Sequence, residues 1–370
     1  MTTNFIRASA LSAVALCAAL AACKGGEQRP AGSESTAAVT NAAGNAAGNA
    51  APAASTGPLV YVSNEDGHSV TVIDSRTDSV VRTINPGQRP RGVRLMPDGK
   101  TLVVAVSGSP KGGPGVDESK LPPPDRSKDG IALVDLATDS VRRLQGGHDP
   151  ENFDITPDGK FIYVSNEDAG TATVLDVPTG RIVATIKVGA EPEGVKVTPD
   201  GKEMWVTSEG RGTVTVINVA NNKVIATVKA GKRPRSLVFT PDGAKAYVPA
   251  EVGGDVTVVN AKNYKVLKTI KVTSPDAKPM GSAISPDGKF VYISNGRGGT
   301  VSVISTAADS IVTNIPVGKR PWGIGVTPDG KTLWTANGPG NDVSVIDLAT
   351  NAVLRHIPAG KSPWGIAISQ

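Results

Sequence analysis

Residues 289–331 read KFVYISNGRGGTVSVISTAADSIVTNIPVGKRPWGIGVTPDGK, and this stretch holds one complete copy of a pattern that recurs along the chain. It contains four short segments that alternate or are rich in β-branched and small residues, separated by loops, a turn and a G-x-x-P sequence. Such segments are typical of β-strands joined by tight turns. The closing Pro-Asp-Gly favours a type I turn with glycine where φ must be positive. Each copy therefore predicts one small antiparallel sheet.

The copies can be counted from their turns and first strands. Pro-Asp-Gly begins at Pro97, Pro157, Pro199, Pro241, Pro286 and Pro328, with spacings of 60, 42, 42, 45 and 42 residues. The copies themselves begin near Leu59, Leu102, Ile162, Met204, Ala246, Val291 and Leu333. Residues 365–369 supply the strand that the first copy lacks, so the chain can close on itself and leave no open end. We predict an all-β fold, a seven-bladed β-propeller whose C-terminal strand completes the first blade.

The strands that open three of the copies carry a family resemblance. Tyr61-Val62-Ser63-Asn64, Tyr163-Val164-Ser165-Asn166 and Tyr292-Ile293-Ser294-Asn295 resemble the YVTN family of β-propeller repeats, and the resemblance covers about 310 of the 370 residues. It implies the propeller fold. It implies no single function, because similar propellers serve as envelope binding proteins, as lactonases and as haem-d1 domains.

The N-terminus is typical of a segment that directs export of the protein and attaches it to a membrane. Residues 8–22 form an apolar run too short to span a bilayer, so we expect a signal peptide over residues 1–22. Leu20-Ala21-Ala22-Cys23 resembles the lipobox of bacterial lipoproteins, which implies a lipid on Cys23 and attachment to the membrane. Residues 23–57 are rich in Ala, Gly and Asn and are predicted to be a disordered tether. The propeller itself is expected over residues 58–370, in the bacterial envelope at the periplasmic face of the outer membrane.

Composition excludes several classes of site. Cys17 and Cys23 are the only cysteines, so the propeller has no disulfide, no thiolate metal site and no cysteine for haem attachment. Of the three histidines, His68 and His148 are predicted on neighbouring blades and His356 on an outer strand, which is too few for a convincing metal site. We therefore expect neither a metal nor a cofactor, although ligation of a haem-d1-like group by His148 stays an alternative.

A candidate site follows from the G-x-x-P loops, which the family topology places around the central channel. The residue after each loop proline enters an innermost strand, and these residues form the predicted binding rim: Arg91, Glu151, Glu193, Arg235, Met280, Trp322 and Trp364. Four charged residues are followed around the ring by three apolar or aromatic ones. Trp side chains can stack on a ring, and Arg can bind an acidic group. Trp205 and Trp334 replace the Tyr of the repeat and are expected in the core instead.

Three further features surround this rim. The variable loop residues carry nine cationic and four anionic side chains, which predicts a positive face. A proline-rich insertion over about residues 109–127 is predicted to be a loop on the same face, either a lid or a tolerated insertion. Deeper in the channel, Arg94, Asp154 and Lys196 form a plus–minus–plus row that predicts structural ion pairs, with a binding role as the alternative.

These features favour binding over catalysis. There is no H-E-x-x-H, no G-x-S-x-G and no thiol nucleophile in the propeller. We expect a monomeric, lipid-anchored binding or scaffold protein that holds an envelope protein or a small anionic or aromatic ligand at the rim. The alternatives are a lactonase-like hydrolase using Glu151, Glu193 and Asp149, and a protein that binds single-stranded nucleic acid.

Overall fold

The computed structural model describes residues 57–112 and 116–370. The predicted signal peptide, the lipidation site at Cys23 and all of the predicted tether except residue 57 lie outside the described residues. Within the described residues, no helix is long and apolar enough to cross a membrane.

The chain forms seven four-stranded antiparallel sheets, which are the predicted blades. The strands of the first four blades are β1 (Leu59–Asn64), β2 (Ser69–Asp74), β3 (Ser79–Ile84), β4 (Val93–Leu95), β5 (Thr101–Val106), β6 (Gly130–Asp135), β7 (Val141–Leu144), β8 (Pro150–Ile155), β9 (Phe161–Asn166), β10 (Thr171–Asp176), β11 (Arg181–Lys187), β12 (Pro192–Val197), β13 (Glu203–Ser208), β14 (Thr213–Asn218) and β15 (Lys223–Lys229). The remaining strands are β16 (Val238–Phe239), β17 (Lys245–Ala250), β18 (Asp255–Asn260), β19 (Val266–Lys271), β20 (Pro279–Ile284), β21 (Phe290–Asn295), β22 (Thr300–Ser305), β23 (Ser310–Pro316), β24 (Pro321–Val326), β25 (Thr332–Asn337), β26 (Asp342–Asp347), β27 (Ala352–Pro358) and β28 (Pro363–Ile368). Three single-turn 3₁₀ helices lie in loops, at Glu118–Lys120, Arg126–Lys128 and Gly338–Gly340.

The ring closes as predicted, because the last strand joins the first sheet. Strand β28 pairs antiparallel with β1, with Val60 opposite Ile368 and Val62 opposite Ile366. The amide of Ser369 donates to the carbonyl of Leu59 at 2.9 Å, which extends the pairing by one residue. The order of strands in the first blade is therefore β28-β1-β2-β3.

The core consists of seven apolar clusters, and each cluster joins two neighbouring blades. In one of them Trp205 of the fourth blade packs edge-on against Phe239 of the fifth, with ring centroids 5.1 Å apart. Trp334 of the seventh blade packs with Val60 and Val62 of the first, so the closing interface has a core of its own. Trp205 and Trp334 are both fully buried, which confirms their predicted core role. Because every blade is sandwiched between two others, the second and third strands of a blade are buried on both faces, as β1 and β2 are, whereas outermost strands such as β11 are largely exposed.

The predicted turns have the expected geometry. The glycines of the six Pro-Asp-Gly turns all have φ between 65° and 73°. At the end of the third strand of a blade, Asx side chains accept backbone N–H groups from their own turns, as Asp135 does from Ala137 and Thr138. These residues are therefore structural.

The insertion in the second blade lies over the face that carries the rim, and we call its described residues, 109–112 and 116–127, the strap. On one side, Nζ of Lys111 lies 3.1 Å from Glu65 and 2.8 Å from Asp66 of the first blade. On the other side, the guanidinium of Arg126 pairs with Asp168 of the third blade. The strap therefore bridges the two blades that flank its own.

Candidate ligand-binding cavity at the channel mouth

All seven predicted rim residues line one cavity of about 520 Å³ at the mouth of the channel, which we call the mouth cavity. They converge because each stands at the start of the first strand of its blade, and these first strands surround the axis. A second, smaller space of about 130 Å³ is lined by residues from all seven blades, in or directly before these strands. The repeat pattern thus brings residues that are up to 273 positions apart in the chain to one place.

Serines of the Y-V-S-N segments hold the rim backbone in position. The hydroxyl of Ser63 donates to the carbonyl of Arg91 at 2.6 Å, and Ser165 and Ser294 make the same bond to Glu193 and Trp322. In each case the serine lies one blade before its acceptor. The repeat motif therefore ties these three rim residues to the neighbouring sheet.

The charged residues of the rim form a buried network, and we call one side of the mouth cavity the charged wall: Arg91, Asp149, Glu151, Glu167, Glu193 and Arg235. At its centre, Arg91 is only 3% exposed. Its guanidinium donates to Glu151 and Asp149 and lies 3.8 Å from Glu167. The wall is thus internally paired.

Arg235 is likewise paired with several carboxylates, at the other end of the charged wall. It donates to Glu209 and lies 3.3 Å from Glu193 and 3.8 Å from Glu251. Both arginines keep their charge close to carboxylates from other loops, which offsets the free energy of removing them from water. The buried Nε atoms of Arg91 and Arg235 make no hydrogen bond, and Nε of Arg235 is the atom that lies 3.8 Å from Glu251.

Two carboxyl groups of the charged wall have strongly perturbed acidity. Burial raises the pKa of Glu193 to about 7, against the opposing charge of Arg235 and with added repulsion from Glu167. Burial likewise raises the pKa of Glu151 well above its ordinary value; Arg91 opposes this, whereas Glu193 and Glu167 add to it. At neutral pH this pair can therefore both hold and accept a proton.

The opposite side of the mouth cavity, the aromatic wall, is formed by Met280, Arg320, Trp322 and Trp364. The two tryptophans meet edge to face, with ring centroids 5.8 Å apart and an interplanar angle of 78°. The guanidinium carbon of Arg320 lies 5.1 Å from the Trp322 ring centroid, and that of Arg235 lies 5.9 Å from it. Nε1 of Trp322 is buried and has no hydrogen-bond partner. This wall thus offers a ring surface beside donors that lack acceptors.

The expectation of a positive face with an acidic sector omitted four carboxylates. Each directly follows the second strand of a blade: Glu65, Glu167, Glu209 and Glu251. Glu65 pairs with Arg89, whereas the other three reach the rim arginines Arg91 and Arg235. The sequence carried a signal for them, since YVSNE, YVSNE, WVTSE and YVPAE place glutamate at the same repeat position. The cations of the first five blades are consequently neutralised to a large extent.

The strap and the channel row complete the surroundings. Prolines 122–124, Leu121 and Arg126 of the strap line the mouth cavity, so the strap encloses the side of the charged wall. In the channel, Asp154 lies 3.2 Å from Arg94 and 3.2 Å from Lys196, which confirms the predicted ion pairs. Asp154 also accepts the backbone N–H of Val197, so this row binds neighbouring blades together.

One group of carboxylates has the spacing of a metal site. The ligand atoms of Asp149, Glu151 and Glu167 lie within 4.8 Å of one another. Arg91 pairs with all three, and its guanidinium supplies the counter-charge that a cation would otherwise bring. Among the histidines, Nδ1 of His68 accepts the backbone N–H of Arg89, and His356 lies on the outer strand β27 as expected.

Comparison with known proteins finds similar folds in enzymes and in proteins of other kinds. Residues 187–358 match the family model described as "Lactonase, 7-bladed beta-propeller". Antigen Lp49 of Leptospira interrogans is 30% identical over 118 residues, a match that covers 30% of this chain and 24% of that antigen. The chain thus spans about a quarter of the length of this curated relative.

Solved structures with similar folds are more distant in sequence. A protein of Bacteroides fragilis provisionally named as a 6-phosphogluconolactonase is 20% identical, with a TM-score of 0.67, over 86% of this chain and 100% of that one. Hydrazine synthase of Kuenenia stuttgartiensis is 21% identical, with a TM-score of 0.65, over 76% of this chain and 89% of that one. At these identities the likeness concerns the fold. The chain is a seven-bladed β-propeller whose residues 187–358 match the lactonase propeller family.

Proposed function

We propose that the mouth cavity binds a small organic molecule that places a ring against Trp322 and Trp364. The single observation that carries this proposal is the group of three buried donors without hydrogen-bond acceptors, Nε of Arg91, Nε of Arg235 and Nε1 of Trp322, beside a half-buried pair of indole rings that line the cavity. Buried donors in a native structure are normally satisfied, so unpaired ones in a cavity call for acceptors from a ligand. The cavity volume of about 520 Å³ suits a small molecule.

A binding assay can test this proposal directly. A library of small ring-containing acids would be screened by thermal shift with the full chain, and hits would be measured by calorimetry. Trp322→Ala and Trp364→Ala should each weaken a hit about 5- to 150-fold, since a stacked ring is worth about 1–3 kcal/mol. Lys319→Ala, an exposed change next to the wall, is the matched control. Hits that bind both tryptophan variants as tightly as wild type would refute the proposal.

A second candidate function, hydrolysis of a cyclic ester in the same cavity, is favoured by the acidity of Glu151 and Glu193. In this proposal the ionised member of the pair takes a proton from water while the water oxygen attacks the carbonyl carbon. The protonated member gives its proton to the ring oxygen as the C–O bond breaks, and a hydroxy acid is released. Arg91 and Arg235 would offset the charge that develops on the carbonyl oxygen. The match of residues 187–358 to the lactonase family supports this candidate.

Proton release distinguishes hydrolysis from simple binding. With simple lactones as substrates in weakly buffered solution, Glu193→Gln and Glu151→Gln should each lower the rate at least a hundredfold. Glu191→Gln changes an exposed carboxylate two residues away and serves as the control. No turnover by the wild-type protein with any lactone tested would leave binding as the function and eliminate this candidate.

We further propose that a lipid on Cys23 holds the propeller at the membrane of a bacterial envelope. The lipobox-like segment before Cys23 supports this proposal. In cells fed a labelled fatty acid, the full chain should incorporate label, and Cys23→Ser should abolish incorporation. Cys17→Ser is the matched control and should keep the label, because Leu16 is too large for the residue before a lipidated cysteine. Label retained by Cys23→Ser would contradict the assignment.

A further inference from the structure

Two loops of the propeller have the same sequence and the same left-handed backbone at their arginine, but different surroundings. Gly231-Lys232-Arg233-Pro234 opens the fifth blade, and Gly318-Lys319-Arg320-Pro321 opens the seventh. Arg233 and Arg320 both have positive φ, 62° and 52°. Each loop therefore serves as a control for the other.

In the fifth blade, the arginine of this loop has two carboxylate partners. Arg233 donates to Glu209 of the preceding blade and lies 3.6 Å from Glu251 of its own blade. The backbone fixes this arrangement, since the N–H of Glu251 donates to the carbonyl of Arg233 at 2.8 Å.

In the seventh blade, both partner positions are glycine. Gly296 occupies the position of Glu209, and Gly338 occupies that of Glu251. The backbone contact is retained, because the N–H of Gly338 donates to the carbonyl of Arg320 at 3.3 Å. The scaffold that would present a carboxylate to Arg320 is therefore built, but the carboxylate is missing.

Arg320 is consequently an unpaired cation at the edge of the mouth cavity. Among residues 57–112 and 116–370, no carboxylate oxygen lies within 4.0 Å of its guanidinium. Burial lowers the pKa of Arg320, and the charges of Arg235 and Arg297 lower it further, while Glu251 and Glu65 oppose them. Nε1 of Trp322, the indole under this guanidinium, also lacks an acceptor. An anion here would relieve the repulsion between like charges.

We propose that Arg320 and Trp322 form an anion subsite, which binds a carboxylate or phosphate group of the ligand in the space beside Gly338. The inference deepens the proposed function and rests on it for the identity of the whole ligand. The oxyanion would accept from the guanidinium of Arg320 and lie within reach of the free indole N–H. Arg233 cannot bind an anion in this way, because its guanidinium is already paired with Glu209 and Glu251.

The subsite can be closed by restoring the missing partner. A Cβ atom at Gly338 would meet nothing closer than 3.6 Å, whereas one at Gly296 would lie 2.6 Å from Sδ of Met280, so Gly338 is the position to change. Gly338→Glu supplies a carboxylate as in the fifth blade, and Gly338→Gln is its uncharged match in size. Arg320→Ala removes the cation itself.

Iodide quenching of tryptophan fluorescence in the full chain is a suitable probe. Trp205 and Trp334 are fully buried, so an anionic quencher reports on Trp322 and Trp364. Relative to the neutral quencher acrylamide, iodide should quench wild type and Gly338→Gln at least twofold more strongly than Gly338→Glu and Arg320→Ala. Inorganic phosphate and acetate should protect wild type from iodide, and the stronger protector identifies the preferred group.

The outcomes separate this inference from the proposed function. Equal iodide quenching and equal protection in wild type, Gly338→Glu and Arg320→Ala would overturn the subsite, even if a ring-containing ligand still binds through the tryptophans. Protection by phosphate or acetate that depends on Arg320 would uphold the subsite, even if no ring-containing ligand is found.

Discussion

The charged wall and the aromatic wall of the mouth cavity occupy equivalent positions of the same repeat but differ in how their charges are satisfied. Arg91 is buried among Asp149, Glu151 and Glu167. Arg320 lies over an indole with no carboxylate within 4.0 Å among the described residues. The difference teaches that residues at the same distance from the propeller axis can form structural ion pairs in some blades and face a ligand in others. Changes of single residues between successive blades are sufficient for this.

The largest expected effect comes from removing the centre of the charged wall. Arg91→Ala would leave three carboxylates without their shared partner, and we expect the free energy of unfolding to fall by about 3–5 kcal/mol. Arg320→Ala, which removes the arginine of the aromatic wall, should lower it by less than about 1 kcal/mol because no buried ion pair is lost. Urea unfolding of both variants checks the comparison. Equal losses would show that the walls do not differ as described.

The next effect is a pH dependence that belongs to the charged wall alone. The pKa of Glu193 in the folded protein, about 7, lies above its ordinary value of 4.5. The folded state therefore holds a proton that the unfolded chain releases, and this contribution to stability is full below pH 4.5 and lost as the pH rises through 7. Glu193→Gln should reduce the fall in stability between pH 5 and pH 8 by about 1–3 kcal/mol.

Unfolding at several pH values measures this contribution. Because Glu151 repels Glu193, the change at Glu193 also eases ionisation of Glu151, so the variant should have the flatter profile over the whole window. Glu191→Gln, on an exposed side chain, should reproduce the wild-type profile. A steeper profile in Glu193→Gln than in wild type would mean that burial does not control these carboxyls.

The smallest expected effect concerns the aromatic wall. Trp322 and Trp364 meet edge to face at 5.8 Å, an arrangement worth about 0.5–1.5 kcal/mol beyond burial of the rings. A double-mutant cycle with Trp322→Ala and Trp364→Ala should give a coupling energy in that range. A coupling near zero would indicate that the two rings act independently and that the platform is not a single surface.

Much of this arrangement follows from sequence patterns. The seven blades, the closure by residues 365–369 and the convergence of the rim residues follow from a repeat of about 42 residues. Local patterns suffice here because alternation, Pro-Asp-Gly turns and Asx turns each specify nearby backbone, and a ring of similar blades places equivalent residues at equal radius.

The pairing of the charges was decided only by the tertiary structure. The sequence presents Arg89, Arg91, Arg233, Arg235 and Arg320 as similar loop cations, but four of them meet carboxylates from neighbouring loops. At Arg320 the two positions that would supply carboxylates are Gly296 and Gly338. The same holds for the strap, whose contacts with Glu65 and Asp168 join three blades. A side chain's electrostatic environment depends on groups that are distant in sequence and close in space, whereas a repeat specifies only its own local geometry.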